Sequence, residues 1–182
     1  PAAWMYYTFS WNRFGRHIVQ FVKQGEHFKY IRRPDARAAI RTGVDDRHLY
    51  IAIECEDDDL VRKGTAAEAD RLEIQINPAP GENEGTRTLV LDIAGNGVEV
   101  SGTLAEGATA AITVSERHTP PAPCKVWTVE AAIPLATLGG AKSTGDAIGF
   151  DVVWHDADHE GDGTVTGTWR WAGRSTSLGT LF

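Results

Sequence analysis

Short stretches in which every second residue is apolar dominate this chain. Arg71 to Asn77, RLEIQIN, is the cleanest: Leu72, Ile74 and Ile76 share one parity, and Glu73, Gln75 and Asn77 the other. A period of two is what a half-buried strand requires, because successive side chains leave opposite faces. His48 to Glu54, HLYIAIE, sets Leu49, Ile51 and Ile53 against Tyr50 and Ala52. Thr88 to Ile93, Val98 to Val100, Ala111 to Ser115, Val126 to Ile133 and Phe150 to Trp154 are further strand candidates. Turn formers separate them: Asn77-Pro78-Ala79-Pro80-Gly81, Gly95-Asn96-Gly97 and Pro120 to Pro123. Helical periodicity is scarce. Pro134 to Leu138 suits one helical turn, with proline at a first helical position, and Gly139-Gly140 ends it. Strands recurring every 8–12 residues or so, without long crossover helices, predict an all-β fold. The expected architecture is an antiparallel, jelly-roll-like sandwich with little helix. The first forty residues show no such pattern. Trp4, Tyr6, Tyr7, Phe9, Trp11 and Phe14 crowd there, and spacing does not divide them between core and surface.

Length makes one domain, 1–182, the expectation, and a chain of this size buries roughly 70% of its unfolded surface. The formal net charge of −7 argues against a nucleic-acid partner, which would call for a basic patch. The densest positive region holds Arg32, Arg33, Arg37, Arg41 and Arg47, but Pro34, Asp35, Asp45 and Asp46 interrupt it. These read as solvated strand and turn positions. No apolar run is long enough to span a membrane. No signal peptide is visible; the start at Pro1 is consistent with removal of a leader or an upstream domain. Cys55 shares parity with Ile51 and Ile53, which favours a buried free thiol; a bridge to Cys124 is the alternative.

Three constellations carry candidate chemistry. In Asp156 to Gly163, DADHEGDG, the residues Asp156, Asp158 and Glu160 stand at positions 1, 3 and 5, with Gly161 at position 6. This matches the opening of a calcium loop, in which alternate oxygens converge on a hard cation; Asp162 adds another carboxylate. Gly167 replaces the usual twelfth-position acid, and no helices flank the loop, which excludes an EF-hand. The reading is structural calcium inside a sandwich, with a solvated acidic turn as the alternative. His155 and His159 lack the helical context of a zinc motif. The second constellation is Glu54, Glu56, Asp57, Asp58 and Asp59. It reads as an exposed strand end; a second calcium site or pairing with Arg62 and Lys63 is the alternative. The third is Trp154, Trp169 and Trp171. An indole face matches the flat C–H face of a sugar ring, and Gln75, Asn77, His155 and Arg170 are suitable partners for hydroxyls. Trp154 shares parity with Phe150 and Val152 and belongs with the core; Trp169 and Trp171 share a parity of their own. There is no G-x-S-x-G, phosphate loop or dinucleotide fingerprint, and Glu130 is a lone acid on a strand.

HLYIAIECEDDDL, DRLEIQINP, WTVEAAIPLATL, GDAIGFDVVWHDAD and WAGRSTSLGTLF occur in an order that resembles family 9 carbohydrate-binding modules, from about Val44 to Phe182. The resemblance implies a β-sandwich, a sugar-binding surface, structural calcium and attachment to secreted xylanases or other polysaccharide-degrading enzymes. Such modules often place an Asn-Asp pair where this chain has His155-Asp156, which passes the polar contact to an imidazole. They also hold a terminal sugar between two tryptophans, one of them just ahead of the strand beginning here at Asp70. This chain has Ala66, Ala67, Glu68 and Ala69 there, so half of that pair is either missing or supplied by an N-terminal aromatic such as Trp4 or Trp11.

The expected function is therefore non-catalytic binding of a polysaccharide or its oligosaccharides, outside the cell, beside a covalently linked catalytic domain. Trp169 or Trp171 would be the platform, His155, Gln75, Asn77 and Arg170 the hydrogen-bonding groups, and Asp156, Asp158, Glu160 and Asp162 the calcium ligands. The alternatives are a small lyase or hydrolase on the same sandwich and a protein-interaction module without a sugar site.

Overall fold

A computed structural model describes residues 3–11, 36–57, 59–65, 68–78, 85–119, 122–139, 148–160, 163–171 and 179–181. For 3–11, 36–37, 118–119, 122–123, 160, 163–166, 169 and 179–181 it describes the backbone alone. Two antiparallel sheets face each other. The first has the order β1 (Ala3–Trp11), β2 (Ala36–Val44), β3 (His48–Asp57), β8 (Ala122–Pro134), β7 (Thr109–Thr119). The second runs β10 (Gly163–Arg170), β9 (Ile148–Glu160), β4 (Arg71–Asn77), β5 (Arg87–Ala94), β6 (Gly97–Ser101), and β11 (Gly179–Leu181) also pairs with β9.

Alternation explains the core. Leu72, Ile74 and Ile76 of β4 lie opposite Trp154, Val152 and Phe150 of β9, and Leu72 and Ile74 lie opposite Leu91 and Leu89 of β5. All are buried. Ile40, Ile51, Ile53, Trp127 and Val129 of the first sheet meet them from across the sandwich. Trp127 and Trp154 contact edge-on, with centroids 5.5 Å apart and planes at 87°, tying the two layers together. The β5–β6 turn is Gly95-Asn96, in which Gly95 takes the positive φ (54°) that a two-residue hairpin needs.

The predicted sandwich is present, and β4 keeps its predicted bounds. The helical turn is a 3-10 turn, Leu135–Leu138, closed by Gly139 at φ 90°. Three differences matter. The patternless N-terminal region contributes β1 and β2. Cys55 and Cys124 are both free and buried, so the alternative of a bridge falls; burial, and then the nearby Asp57 charge, push the Cys55 thiol up. Strand β9 does not stop at Trp154. It continues to Glu160, so the expected acidic loop begins as strand.

Candidate functional site

Strand β9 carries two groups of polar side chains, one on each face. Its inward parity runs Phe150, Val152 and Trp154, then Asp156 and Asp158, both buried. Asp57, at the end of β3 in the opposite sheet, is 1% exposed and joins them. One carboxylate oxygen from each of Asp57, Asp156 and Asp158 lies within 4.8 Å of the others. Asp70, fully buried just ahead of β4, stands beside this group. It accepts the Val61 N–H (2.7 Å), the Trp154 Nε1–H (3.2 Å) and the Ala157 N–H (3.2 Å).

Burial lifts the Asp70 carboxyl to about 8 despite these three donors, and the Asp156 charge adds to the rise. Burial, then Asp156 and Asp70, likewise push Asp57 well above the usual carboxylate range. Asp57 Oδ1 accepts the Asp59 N–H, while Asp57 Oδ2 is buried without a hydrogen-bond partner among the described residues. Carboxylates crowded out of water repel unless a cation or protons neutralise them. Hard oxygens alone suit calcium better than zinc. The donor set therefore fits the cation. Asp57 is thus buried, against the expectation of an exposed strand end for Glu54 to Asp59. The rest of that cluster is spread out: Glu54 pairs with Arg41, Glu56 with Arg117 and Asp59 with His159, while Asp58 lies outside the described residues. Lys63 goes to Asp92 and Glu99, and Arg62 donates to the Gly95 carbonyl. The Glu160 side chain and Asp162 lie outside the described residues.

The outward faces of β10, β9 and β4 carry a hydrogen-bonded polar row. Arg170 Nη1 donates to Asp151 Oδ2 (2.9 Å) and to Gln75 Oε1 (3.5 Å). Gln75 Nε2 donates to Glu73 Oε2 (3.4 Å). Glu73 Oε1 lies 3.1 Å from His155 Nε2 and 3.4 Å from Arg71 Nη2. The register places Gln75 opposite Asp151 and Arg71 opposite His155. Burial, then the Arg71 charge, hold the imidazole below its ordinary pKa of 6.5 and so keep it neutral at pH 7.

Three of the expected sugar contacts, His155, Gln75 and Arg170, thus come together with Glu73, Arg71 and Asp151, which the sequence reading did not select. Polar parity on β4 and β9 was the signal available for Glu73, Arg71 and Asp151. Asn77 shares the outward parity of Gln75 but is buried, 5% exposed, and its Oδ1 lies 3.0 Å from where a side chain on Gly85 would begin. Trp171 is half-buried, edge-on to Phe150 with centroids 5.7 Å apart, and its N–H donates to the Val152 carbonyl (2.9 Å). The backbone of Trp169 pairs with Trp154; its side chain, with those of Trp4 and Trp11, lies outside the described residues.

A hollow of about 360 Å³ lies across β3, β8 and β7, lined among others by Tyr50, Ala52, Ala111, Glu130 and Ala132. The Tyr50 hydroxyl already donates to Asp45 Oδ2 (2.8 Å), and among the described residues no guanidinium, amide side chain or imidazole lines the hollow. It is a poor match for sugar hydroxyls beside the polar row.

A family model described as carbohydrate family 9 binding domain-like matches residues 20–177. The chain belongs to that family. It is a non-catalytic carbohydrate-binding domain, which removes the hydrolase and lyase alternatives. Among solved structures this family 9 module is similar to one from Caldicellulosiruptor kristjanssonii in complex with cellotriose. Identity is 18%, with 77% of this chain and 67% of that chain covered and a TM-score of 0.49. A second structure from that organism, in complex with glucose, is 18% identical over 70% of this chain and 63% of that one, with a TM-score of 0.45. A Bacteroides uniformis protein is 12% identical over 97% of this chain and 85% of that one, with a TM-score of 0.50. At such identity the last likeness concerns the fold alone. No curated protein matches the chain.

Proposed function

We propose that this family 9 module binds a neutral plant polysaccharide of the cellulose or xylan kind on the outer face of its second sheet. The row from Arg170 to Arg71 carries the proposal. It offers guanidinium, amide, carboxylate and imidazole groups side by side, already held in place by one another. Its charges balance, Arg71 and Arg170 against Glu73 and Asp151, with His155 neutral. That balance suits hydroxyls better than uronate or sulfate groups. The register sets Trp169 opposite Trp154, and Trp171 packs on Phe150, so both belong to the inward parity and the row is proposed without either tryptophan as its platform.

Calcium is the second part of the reading. Asp57, Asp156 and Asp158 would hold it, Glu160 and Asp162 being further candidates, and the ion would neutralise the carboxylates and join β3 to β9. The orphaned Oδ2 of Asp57 supports this. Family membership supports a module that works outside the cell beside a linked glycan-degrading domain.

Affinity electrophoresis through gels containing soluble cellulose derivatives or xylan tests the sugar reading. Retarded migration, unaccompanied by release of reducing ends, is expected. Unretarded migration with every plant polysaccharide would sink it.

A further inference from the structure

We propose that the free edge of β7 is a self-association surface, on which a second copy of this chain adds its own β7 antiparallel to the first. This inference is independent of the sugar reading. Among the described residues β7 is hydrogen-bonded on one side only, to β8. An edge strand presents main-chain donors and acceptors that an extended partner satisfies, and natural edges are usually blunted by lysine, proline, a bulge or shortness. Strand β7 has none of these over Thr109–Ser115, TAAITVS, which is also uncharged. Its pairing with β8 runs without interruption from Thr109 to Thr119. Thr109, Ala111, Thr113 and Ser115 are exposed. Val114 is 40% exposed although it shares parity with Ala110 and Ile112, which pack on the core. Half-buried Val98 and Val100 of β6 lie at the corresponding edge of the other sheet.

The sequence of this edge is compatible with itself. In a two-fold arrangement centred on Ile112, Ala110 faces Val114 of the second copy, Ala111 faces Thr113, and Thr109 faces Ser115. Glu116 and Arg117 fall outside the seven pairs, so no like charges are opposed. Seven residue pairs bury less than the roughly 1,200 Å² of a stable complex, so the dimer is weak and concentration-dependent.

Sedimentation velocity on the 182-residue chain, from about 10 µM to about 1 mM, tests the proposal. The average mass should rise toward that of a dimer. The double variant Thr113→Lys, Val114→Lys should remain monomeric, with dissociation at least tenfold easier and polysaccharide retention unchanged. A wild-type chain that stays monomeric at the highest concentration overturns the proposal and leaves the edge for a strand of some other chain. So does a folded double variant that dimerises as well as wild type. Should the variant fail to fold, hydrogen exchange on the wild type decides. Amides of Thr109–Ser115 should gain protection with concentration, and unchanged exchange there refutes the pairing.

Discussion

Replacing Asp57 by asparagine should have opposite effects with and without calcium. In calcium the variant loses a ligand charge, and its melting temperature should fall. In chelator the same change removes repulsion against Asp156 and Asp70, and the variant should melt at or above wild type. Thermal scans of both proteins in both conditions check this; a fall of equal size in each would show that no cation sits there. His155 gives the second test at this scale. His155→Ala and Glu73→Gln should each weaken sugar binding about tenfold, roughly 1.4 kcal/mol, as measured by titration calorimetry. The His155 imidazole, held below 6.5, contributes to folding while neutral; that contribution is present above pH 6.5 and lost as pH falls through the lowered pKa. Sugar affinity should stay level between about pH 6.5 and 8 and drop below that range in wild type, but not in His155→Ala. Only some of these roles were legible in the residues themselves. Asp156 and Asp158 occupy the parity of Phe150, Val152 and Trp154, so extending the apolar count would have placed them inside. Asp57 carries no such mark, because its partners belong to the other sheet and no local pattern encodes contacts between layers.

At the scale of elements, alternation was legible wherever one face met the core and the other met water. Strand β4 is the clearest case and kept its bounds. The pattern of β9 fades after Trp154 because aspartates at inward positions look like a loop until something between the sheets accounts for them. Strand β7 shows only its Ala111 to Ser115 part in the pattern for the converse reason: at an edge, both faces are partly wet and the contrast fades. Ile74, fully buried at the centre of β4, tests the packing. Ile74→Ala should cost about 2–5 kcal/mol in urea unfolding. Gly102, between β6 and β7, tests a turn. It sits at φ 98°, and a Cβ there would lie 2.4 Å from the Thr88 carbonyl oxygen. Gly102→Ala should therefore destabilise by at least about 1–3 kcal/mol, read as a shift of the urea midpoint with an unchanged slope.

For the whole molecule, the proposed cation sits between the sheets, at the end where β3 and β9 converge. A ligand that binds only the folded state stabilises it by about 2.7 kcal/mol at a hundred times its dissociation constant. Chelation should then lower the melting temperature by roughly 5–11 °C for a domain of this size. Constancy would argue against calcium. His155 shares the outward face of β9 with Val153 and Asp151, while Asp156 and Trp154 face inward, and this alternation has a further consequence. Neighbouring residues of one strand, 155 and 156, face the sugar row and the cation group respectively. An ion that fixed β9 from within would also fix the imidazole outside, and the two equilibria would then be thermodynamically linked. Linkage is reciprocal: if calcium strengthens sugar binding by some factor, sugar strengthens calcium binding by the same factor. Paired titrations, sugar at two calcium levels and calcium at two sugar levels, should return one coupling constant, so that the module grips its metal harder when it is seated on a glycan than when it is free.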